Sequence, residues 1–226
     1  MKLYDWDFAP NCRRVRMFLL EKGIEIPREE CITCDIALKT GYIGRYKHAM
    51  VPMLELDDGT QLGEALSIWL YLETLHPNPP LMGTTALEKA VISAWERRAY
   101  DEGMVGHAEI FRNSHPQFVD RGLPGHIDPV PQIPALIERG KLRVGRFHEK
   151  FNDQLSKNNF IAGEKFSVAD ITTITVCDFG LALGMAIPDR CPNVKRWYDE
   201  MQKRESVQKS RPTHMPDGTP MPPTGA

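Results

Sequence analysis

The chain has 226 residues, a formal net charge of −2 and 42% hydrophobic residues, which suits one large domain or two modest ones with a buried core. Its charge provides no strongly basic surface for phosphates, so we expect no nucleic acid partner. No apolar run approaches the roughly 20 residues of a membrane span, so we expect no membrane partner either. The N-terminal MKLYDWDF lacks the apolar stretch of a signal peptide, which predicts a cytoplasmic location.

The strand and helix patterns of the first third of the chain alternate. KLYDW predicts a strand, NCRRVRMFLLEKG a helix that ends at Gly23, and EIPREECITCDI a second strand. VPMLELDDGTQLGE then predicts a hairpin, and EALSIWLYLETLH a helix that PNPP stops. A helix between two strands allows them to pair in parallel, and the hairpin adds antiparallel strands. The order βαβ, then ββα, predicts a thioredoxin-like α/β domain over residues 1–78.

Helical patterns dominate the rest of the chain. TALEKAVISAWERRAYDEGMVGHAEIF predicts one long helix, and a Pro- and Gly-rich loop follows at residues 114–131. Three further helices are predicted in ALIERGKLRVGRFHEKFNDQL, FSVADITTITVCDFGLALG and VKRWYDEMQKRESV. In FSVADI, Ser167 and Asp170 have the spacing of a capping box, a folding role. We therefore expect an all-α domain over residues 84–208 and a proline-rich, disordered tail over residues 209–226.

The cysteines and histidines do not indicate a metal centre or a disulfide framework. The five cysteines are odd in number and widely spaced. Cys31 and Cys34 form a C-x-x-C pair, but a strand would point them to opposite faces, and no second pair completes four zinc ligands. His107, His115 and His126 are not spaced as ligands on one helix face. We expect no metal site.

Four segments together resemble the glutathione transferase superfamily over about residues 1 to 205: FAPNCRRVR, VPMLELDDGTQLGEALSIWLYLE, PNPPLMG and FSVADI. The resemblance implies a thioredoxin-like N-terminal domain, an all-α helical C-terminal domain, a homodimer, and glutathione as co-substrate. It also implies the activity: the glutathione thiolate attacks a small hydrophobic electrophile. The sulfur comes from the ligand, so the chain need not supply a nucleophile.

The resemblance also implies which residues bind glutathione. In similar proteins the peptide bond before the proline that Pro52 matches is cis. The resemblance therefore implies that the backbone of Val51 pairs with the cysteinyl part of glutathione. Glu64 would receive the γ-glutamyl ammonium, and the helix start behind it would receive the carboxylate. The family usually has serine after this glutamate, where this chain has Ala65. His48 could reach the glycyl carboxylate.

Asn11 is the residue that we expect to activate the thiol. Ala9 would also contact glutathione, but it occupies the position where similar proteins often have serine, threonine or cysteine. Asn11 matches the asparagine of a threonine-proline-asparagine turn, whose amide would donate to the thiolate; alternatively it only caps the helix. Phe8, Trp95 and Tyr100 are the expected electrophile pocket, although aromatic residues on a long helix can equally belong to the core.

Two other functions are compatible with these residues. The first alternative is a non-enzymatic binding or assembly protein of the same fold. It is compatible with Ala9 and Ala65, because neither residue has a hydroxyl. Thiol–disulfide exchange through Cys12 is the second alternative. It is the weaker one, because Cys12 matches the second cysteine of a C-P-x-C motif and Ala9 occupies the place of the reactive first cysteine.

Overall fold

The N-terminal part of the protein is built on a four-stranded mixed sheet. In the computed structural model, residues 1–31, 50–125 and 128–213 are described. The strands are β1 (Lys2–Asp5), β2 (Arg28–Glu30), β3 (Met53–Glu55) and β4 (Gln61–Gly63). Their order is β2-β1-β3-β4; β1 is parallel to β2 and antiparallel to β3, and β4 is antiparallel to β3. This is the predicted thioredoxin-like arrangement.

Two described helices accompany the sheet, α1 (Pro10–Lys22) and α2 (Ala65–Leu75). The predicted end of α1 at Gly23 is confirmed. Gly23 has a φ of 64°, which glycine adopts without steric cost, and its N–H donates to the Leu20 carbonyl at 3.3 Å. The predicted second strand is seen as β2, and its continuation beyond Cys31, including Cys34, lies outside the described residues.

The C-terminal part is helical, as predicted. It contains α3 (Ala86–Arg98), α4 (Val105–Ser114), α5 (Ala135–Leu155), α6 (Val168–Ala182), α7 (Pro192–Met201) and α8 (Glu205–Lys209). A π-helical segment, Ala99–Met104, joins α3 to α4, so the predicted long helix is one continuous helical run. The predicted loop at residues 114–131 contains one short 3-10 helix, Pro116–Phe118. No helix in the described part of the chain is long and apolar enough to cross a membrane.

The predicted single helix over VKRWYDEMQKRESV is wrong, because the structure divides it into α7 and α8. Arg204 lies between the two helices with extended backbone, at φ −70° and ψ 135°. Its guanidinium pairs with Glu21 of α1 and stacks on Phe166 at 3.9 Å from the ring centre. These contacts with distant segments hold Arg204 out of a helical conformation.

Helix α6 is the centre of the helical part, because residues from Val168 to Gly180 are all buried. Its N-terminus carries the predicted capping box. The Ser167 N–H donates to Asp170 Oδ2 at 3.0 Å, and the Ser167 hydroxyl accepts from the Ala169 N–H at 3.3 Å. The structural role predicted for both residues is therefore confirmed. Helix α1 packs against α6, which places the beginning of α1 beside the helical domain.

Candidate active site

The beginning of α1 presents backbone N–H donors. Ala9 precedes the helix, and its carbonyl accepts the first helical hydrogen bond from the Arg13 N–H at 3.1 Å. Because Pro10 has no N–H, the backbone N–H groups of Asn11 and Cys12 are the donors of the first turn that have no partner among the described residues. Ala9 itself is buried and has no polar side chain. The positive end of the helix can therefore stabilise an anion here through backbone and Asn11 alone.

Asn11 is half-buried at this helix start, and its side chain is held in one orientation. Asn11 Oδ1 accepts a hydrogen bond from Arg14 Nη1 at 2.9 Å. An arginine has no acceptor, so the amide oxygen must face it and the amide N–H₂ must face away. Among the described residues, Asn11 Nδ2 has no hydrogen-bond partner. The side chain is thus equipped to donate to a ligand.

Cys12 lies next in α1, but it is fully buried. Its Sγ accepts a hydrogen bond from the Trp6 N–H at 3.3 Å. Burial, and secondarily the negative charge of Asp5, raises the pKa of this thiol well above its ordinary value. A buried, protonated thiol is a poor nucleophile, which argues against thiol–disulfide exchange at this position.

Val51 and Pro52 are placed beside the start of α1. Val51 belongs to a small buried cluster with Ala9 and Cys12, so two of the predicted glutathione-binding residues lie in the same cluster. The Val51–Pro52 peptide bond is cis. Within the described part of the chain, the N–H and C=O of Val51 have no hydrogen-bond partner. An extended peptide could pair with them as with a strand edge. His48 lies outside the described residues.

Glu64 stands at the beginning of α2 in a conformation unusual for its type. Its φ is 63° and its ψ is 131°. Residues with a Cβ rarely adopt a positive φ. Such strain is often found at binding sites. The carboxylate is exposed and has no hydrogen-bond partner among the described residues. A cationic ligand group could therefore bind it without displacing an existing contact.

The start of α2 offers further backbone donors. The first helical hydrogen bond runs from the Ile68 N–H to the Glu64 carbonyl at 3.2 Å, so the N–H groups of Ala65, Leu66 and Ser67 precede it. Ala65 is buried and contributes no hydroxyl. The nearest hydroxyl, on Ser67, donates to the carbonyls of Gly63 and Glu64. A carboxylate at this helix start would therefore depend on backbone donors.

Arg14 links the two helix starts. Its Nη1 donates to Asn11, as described above, and the negative charge of Glu64 acts on its guanidinium. Burial lowers the pKa of Arg14, and the negative charge of Glu96, followed by that of Glu64, acts in the opposite direction. One buried cation thus donates a hydrogen bond to the residue expected at the sulfur and is influenced by the charge of the residue expected at the γ-glutamyl ammonium.

The three residues expected to line an electrophile pocket have different neighbours. Phe8 belongs to an aromatic cluster with Phe111 of α4 and Phe179 of α6, at ring-centre distances of 6.2 and 6.5 Å. Tyr100 lies against the guanidinium of Arg14 at 5.1 Å, and Trp95 lies edge-on to Phe151 at 5.2 Å. Among the described ring contacts, none joins two of Phe8, Trp95 and Tyr100.

Phe8 is therefore the member of this group that packs against a buried aromatic cluster of the helical domain. Phe118 extends that cluster, with its ring centre 4.9 Å from that of Phe111.

Within the described residues, no group of three or more His, Cys, Asp or Glu side chains is placed to hold a metal ion.

The comparisons with known proteins agree with this architecture. A thioredoxin-like sheet domain followed by a helical domain defines a class of two-domain α/β and all-α proteins. The family described as "Glutathione S-transferase, N-terminal domain" matches residues 3–80, and "Glutathione S-transferase, C-terminal domain" matches residues 130–205. The chain is 31% identical to "Glutathione S-transferase 2" of Saccharomyces cerevisiae, with 92% of this chain and 88% of the relative covered. The chain belongs to the glutathione S-transferase family.

Two further matches concern the fold and the redox alternative. The crystal structure of Gtt2 from Saccharomyces cerevisiae superposes with a TM-score of 0.82 at 29% identity, over 93% of this chain and 100% of that chain. Glutaredoxin 2 of Escherichia coli is 30% identical over 98 residues, which is 43% of each chain. The likeness to the glutaredoxin therefore covers less than half of this protein.

The sequence did not single out three residues that complete the site: Arg14, Glu96 and Thr172. Arg14 is one of three arginines within four positions of CRRVR, and all three are buried. The signal was present, because three arginines spaced around a helix with an apolar face cannot all point to solvent. The partners of Arg14 in α3 and α6 could not be found from the sequence, since they lie 82 and 158 positions away.

Proposed function

We propose that the protein is a glutathione transferase that binds glutathione at the starts of α1 and α2 and transfers its sulfur to a small hydrophobic electrophile. The observation that carries the proposal is the orientation of Asn11. Its amide oxygen is bound by Arg14 at 2.9 Å, and its N–H₂ group is free next to the free backbone donors of α1. This arrangement can stabilise a thiolate without a hydroxyl at position 9.

The proposed binding uses three contacts. The γ-glutamyl carboxylate binds the N–H groups at the start of α2, and its ammonium binds Glu64. The cysteinyl backbone pairs with the N–H and C=O of Val51. In this binding mode the cysteinyl sulfur would lie near Ala9, which belongs to the same buried cluster as Val51, and within reach of the first turn of α1.

The proposed reaction begins with loss of the thiol proton to solvent. A free thiol with a pKa of about 8.5 is mostly protonated at neutral pH, so the site must favour the thiolate. The Asn11 amide and the α1 dipole stabilise the negative sulfur. The thiolate then attacks an electrophilic carbon; with an aryl halide, a carbon–sulfur bond forms and the halide leaves. The aromatic cluster around Phe8 would hold the apolar part of the electrophile.

The test measures the thiol pKa of bound glutathione from the pH dependence of thiolate absorbance, together with conjugation to an activated aryl chloride. A hydrogen bond to a charged group contributes about 1.5–3 kcal/mol, so Asn11→Ala should raise this thiol pKa by about one to two units. Ala9→Ser should lower it by adding a donor. Asn159→Ala, an exposed asparagine in the helical domain, is the matched control and should change nothing.

The binding-protein alternative predicts a different result. The wild-type protein would be retained on immobilised glutathione, but the thiol pKa of bound glutathione would stay near that of free glutathione. This alternative is supported by Ala9 and Ala65, which are both buried and have no hydroxyl to donate to the ligand.

Glu64→Gln is the corresponding test of the binding site. The loss of the ion pair with the γ-glutamyl ammonium should weaken glutathione binding by roughly tenfold or more in calorimetry. Glu25→Gln, at an exposed position before β2, is the control. Equal affinity of the Glu64→Gln variant would remove the γ-glutamyl group from the start of α2.

A further inference from the structure

Arg14 is a buried residue that touches both domains and the proposed activating residue. We propose that Arg14 is a positioning residue, which fixes the Asn11 amide so that its N–H₂ group faces the glutathione sulfur. The proposal rests on the proposed function, because it assigns Asn11 the role of donor to the thiolate.

The guanidinium is held in place from the helical domain. Its Nε donates to the Thr172 hydroxyl of α6 at 3.0 Å, and its Nη2 forms an ion pair with Glu96 of α3. The Thr172 hydroxyl in turn donates to Glu96 Oε1 at 3.1 Å. The planar, fork-shaped guanidinium is therefore fixed by two partners that also fix each other.

Two aromatic rings restrict the remaining freedom of the guanidinium. The ring centre of Trp69, in α2, lies 4.7 Å from Arg14 Cζ, and that of Tyr100 lies at 5.1 Å. With Nε and Nη2 engaged by the helical domain, Nη1 is the group that points to Asn11. The orientation of the amide is thus set by contacts with α3 and α6 of the second domain.

The chemistry of this pair allows one amide orientation. Turning the Asn11 amide over would place Nδ2 against Nη1, two donors without an acceptor between them. A buried donor left without its acceptor is unfavourable, so the turned amide is rarely populated. Without Arg14, the side chain of Asn11 could rotate and cap its own helix, as asparagine commonly does.

A direct effect of the Arg14 charge on the thiolate is the competing explanation. Arg14→Lys separates the two, because lysine keeps the positive charge and loses the fixed fork. Arg13 provides the matched control. It is as buried as Arg14, at 3% exposure, and it also crosses to α6 through an ion pair with Asp178, but it has no contact with Asn11.

The experiment measures the thiol pKa of bound glutathione in the full-length wild type, Arg14→Lys, Arg13→Lys, Asn11→Ala and the double variant Asn11→Ala/Arg14→Lys. Arg14→Lys should raise this pKa by about one unit, a tenfold change in the thiolate-to-thiol ratio, and Arg13→Lys should not change it. In the Asn11→Ala background, Arg14→Lys should add no further shift, because its effect passes through the amide.

A full additional shift in the Asn11→Ala background overturns the proposal in favour of direct electrostatics. A folded Arg14→Lys variant with the wild-type thiol pKa also overturns it, and leaves the proposed function standing. A wild type without a depressed thiol pKa refutes the proposed function itself, before any Arg14 variant is compared.

Thr172→Val is a milder variant for the case that Arg14→Lys does not fold. It removes one partner of the guanidinium and should raise the thiol pKa in the same direction by a smaller amount. Thr175→Val is its control, since the Thr175 hydroxyl is equally buried in α6 but donates to the Ile171 carbonyl at 2.9 Å. An equal response of the two threonine variants overturns the proposal.

Discussion

Replacement of Asp170 should reveal how much of the stability depends on the start of α6. This carboxylate is fully buried and accepts four hydrogen bonds. Oδ1 accepts from the Ile161 N–H at 2.9 Å and the Trp197 indole at 3.1 Å, and Oδ2 accepts from the Ser167 N–H at 3.0 Å and its hydroxyl at 3.2 Å. Asp170→Ala leaves the donors of Ile161, Trp197 and Ser167 without this acceptor.

The expected loss can be worked from these donors. Each buried donor without an acceptor costs about 1–3 kcal/mol, and the three N–H donors would give about 3–9 kcal/mol if their costs were additive. That is a large part of the 5–15 kcal/mol typical of a whole protein. Urea denaturation at neutral pH is the assay, and Asp199→Asn, an exposed carboxylate on α7, is the control. Unchanged unfolding of Asp170→Ala would refute the reasoning.

Asp170 also predicts a pH dependence. Burial raises the pKa of its carboxyl from 3.8 to about 6, against the opposing effect of the hydrogen bonds from Ile161, Ser167 and Trp197. Because the folded-state pKa is raised, this contribution to stability is complete below about pH 4 and is lost as the pH rises through about 6. The difference corresponds to about 3 kcal/mol.

Asp170→Asn has no group that titrates at this position. Subtracting its unfolding free energy from that of the wild type, pH by pH, should therefore isolate the titration. A flat difference between pH 4 and 7 would contradict the assigned pKa.

Three further predictions concern the site and the assembly. Cys12→Ala should keep most of the conjugation activity, because this thiol is buried and protonated; a loss above about tenfold in a folded variant would favour the redox alternative. Ala65→Ser should tighten glutathione binding several-fold in calorimetry by adding a donor worth roughly 1 kcal/mol, and unchanged affinity would mean that backbone donors already satisfy the carboxylate. The protein should be a homodimer in light scattering, and a wild-type monomer at micromolar concentration would contradict this. Leu70→Glu should dissociate the dimer, because it places a charge on the exposed face of α2 that also carries Leu66.

The local chemistry of the sequence determined the elements and several of their ends. Gly23 ends α1 because glycine accepts a positive φ without steric cost, and Ser167 with Asp170 begins α6 because three-residue spacing is sufficient for a capping box. The alternation of strand and helix patterns, followed by helices alone, was enough for the fold class. The candidate residues Val51, Glu64 and Asn11 could be named because they belong to short contiguous motifs.

Only the tertiary structure decided which residues meet across long separations in the chain. Arg14 depends on Glu96 and Thr172, and no local pattern connects a residue of α1 with helices that follow 82 and 158 positions later. The break at Arg204 has the same origin: an uninterrupted helical pattern yields to an ion pair with Glu21, 183 residues earlier in the chain. Propensity differences between residues are usually below 1 kcal/mol, so contacts of this kind can override them. The sequence therefore specifies where the donors of the candidate site lie in the chain, and the tertiary contacts of Arg14 accompany the hydrogen bond that the Asn11 side chain accepts.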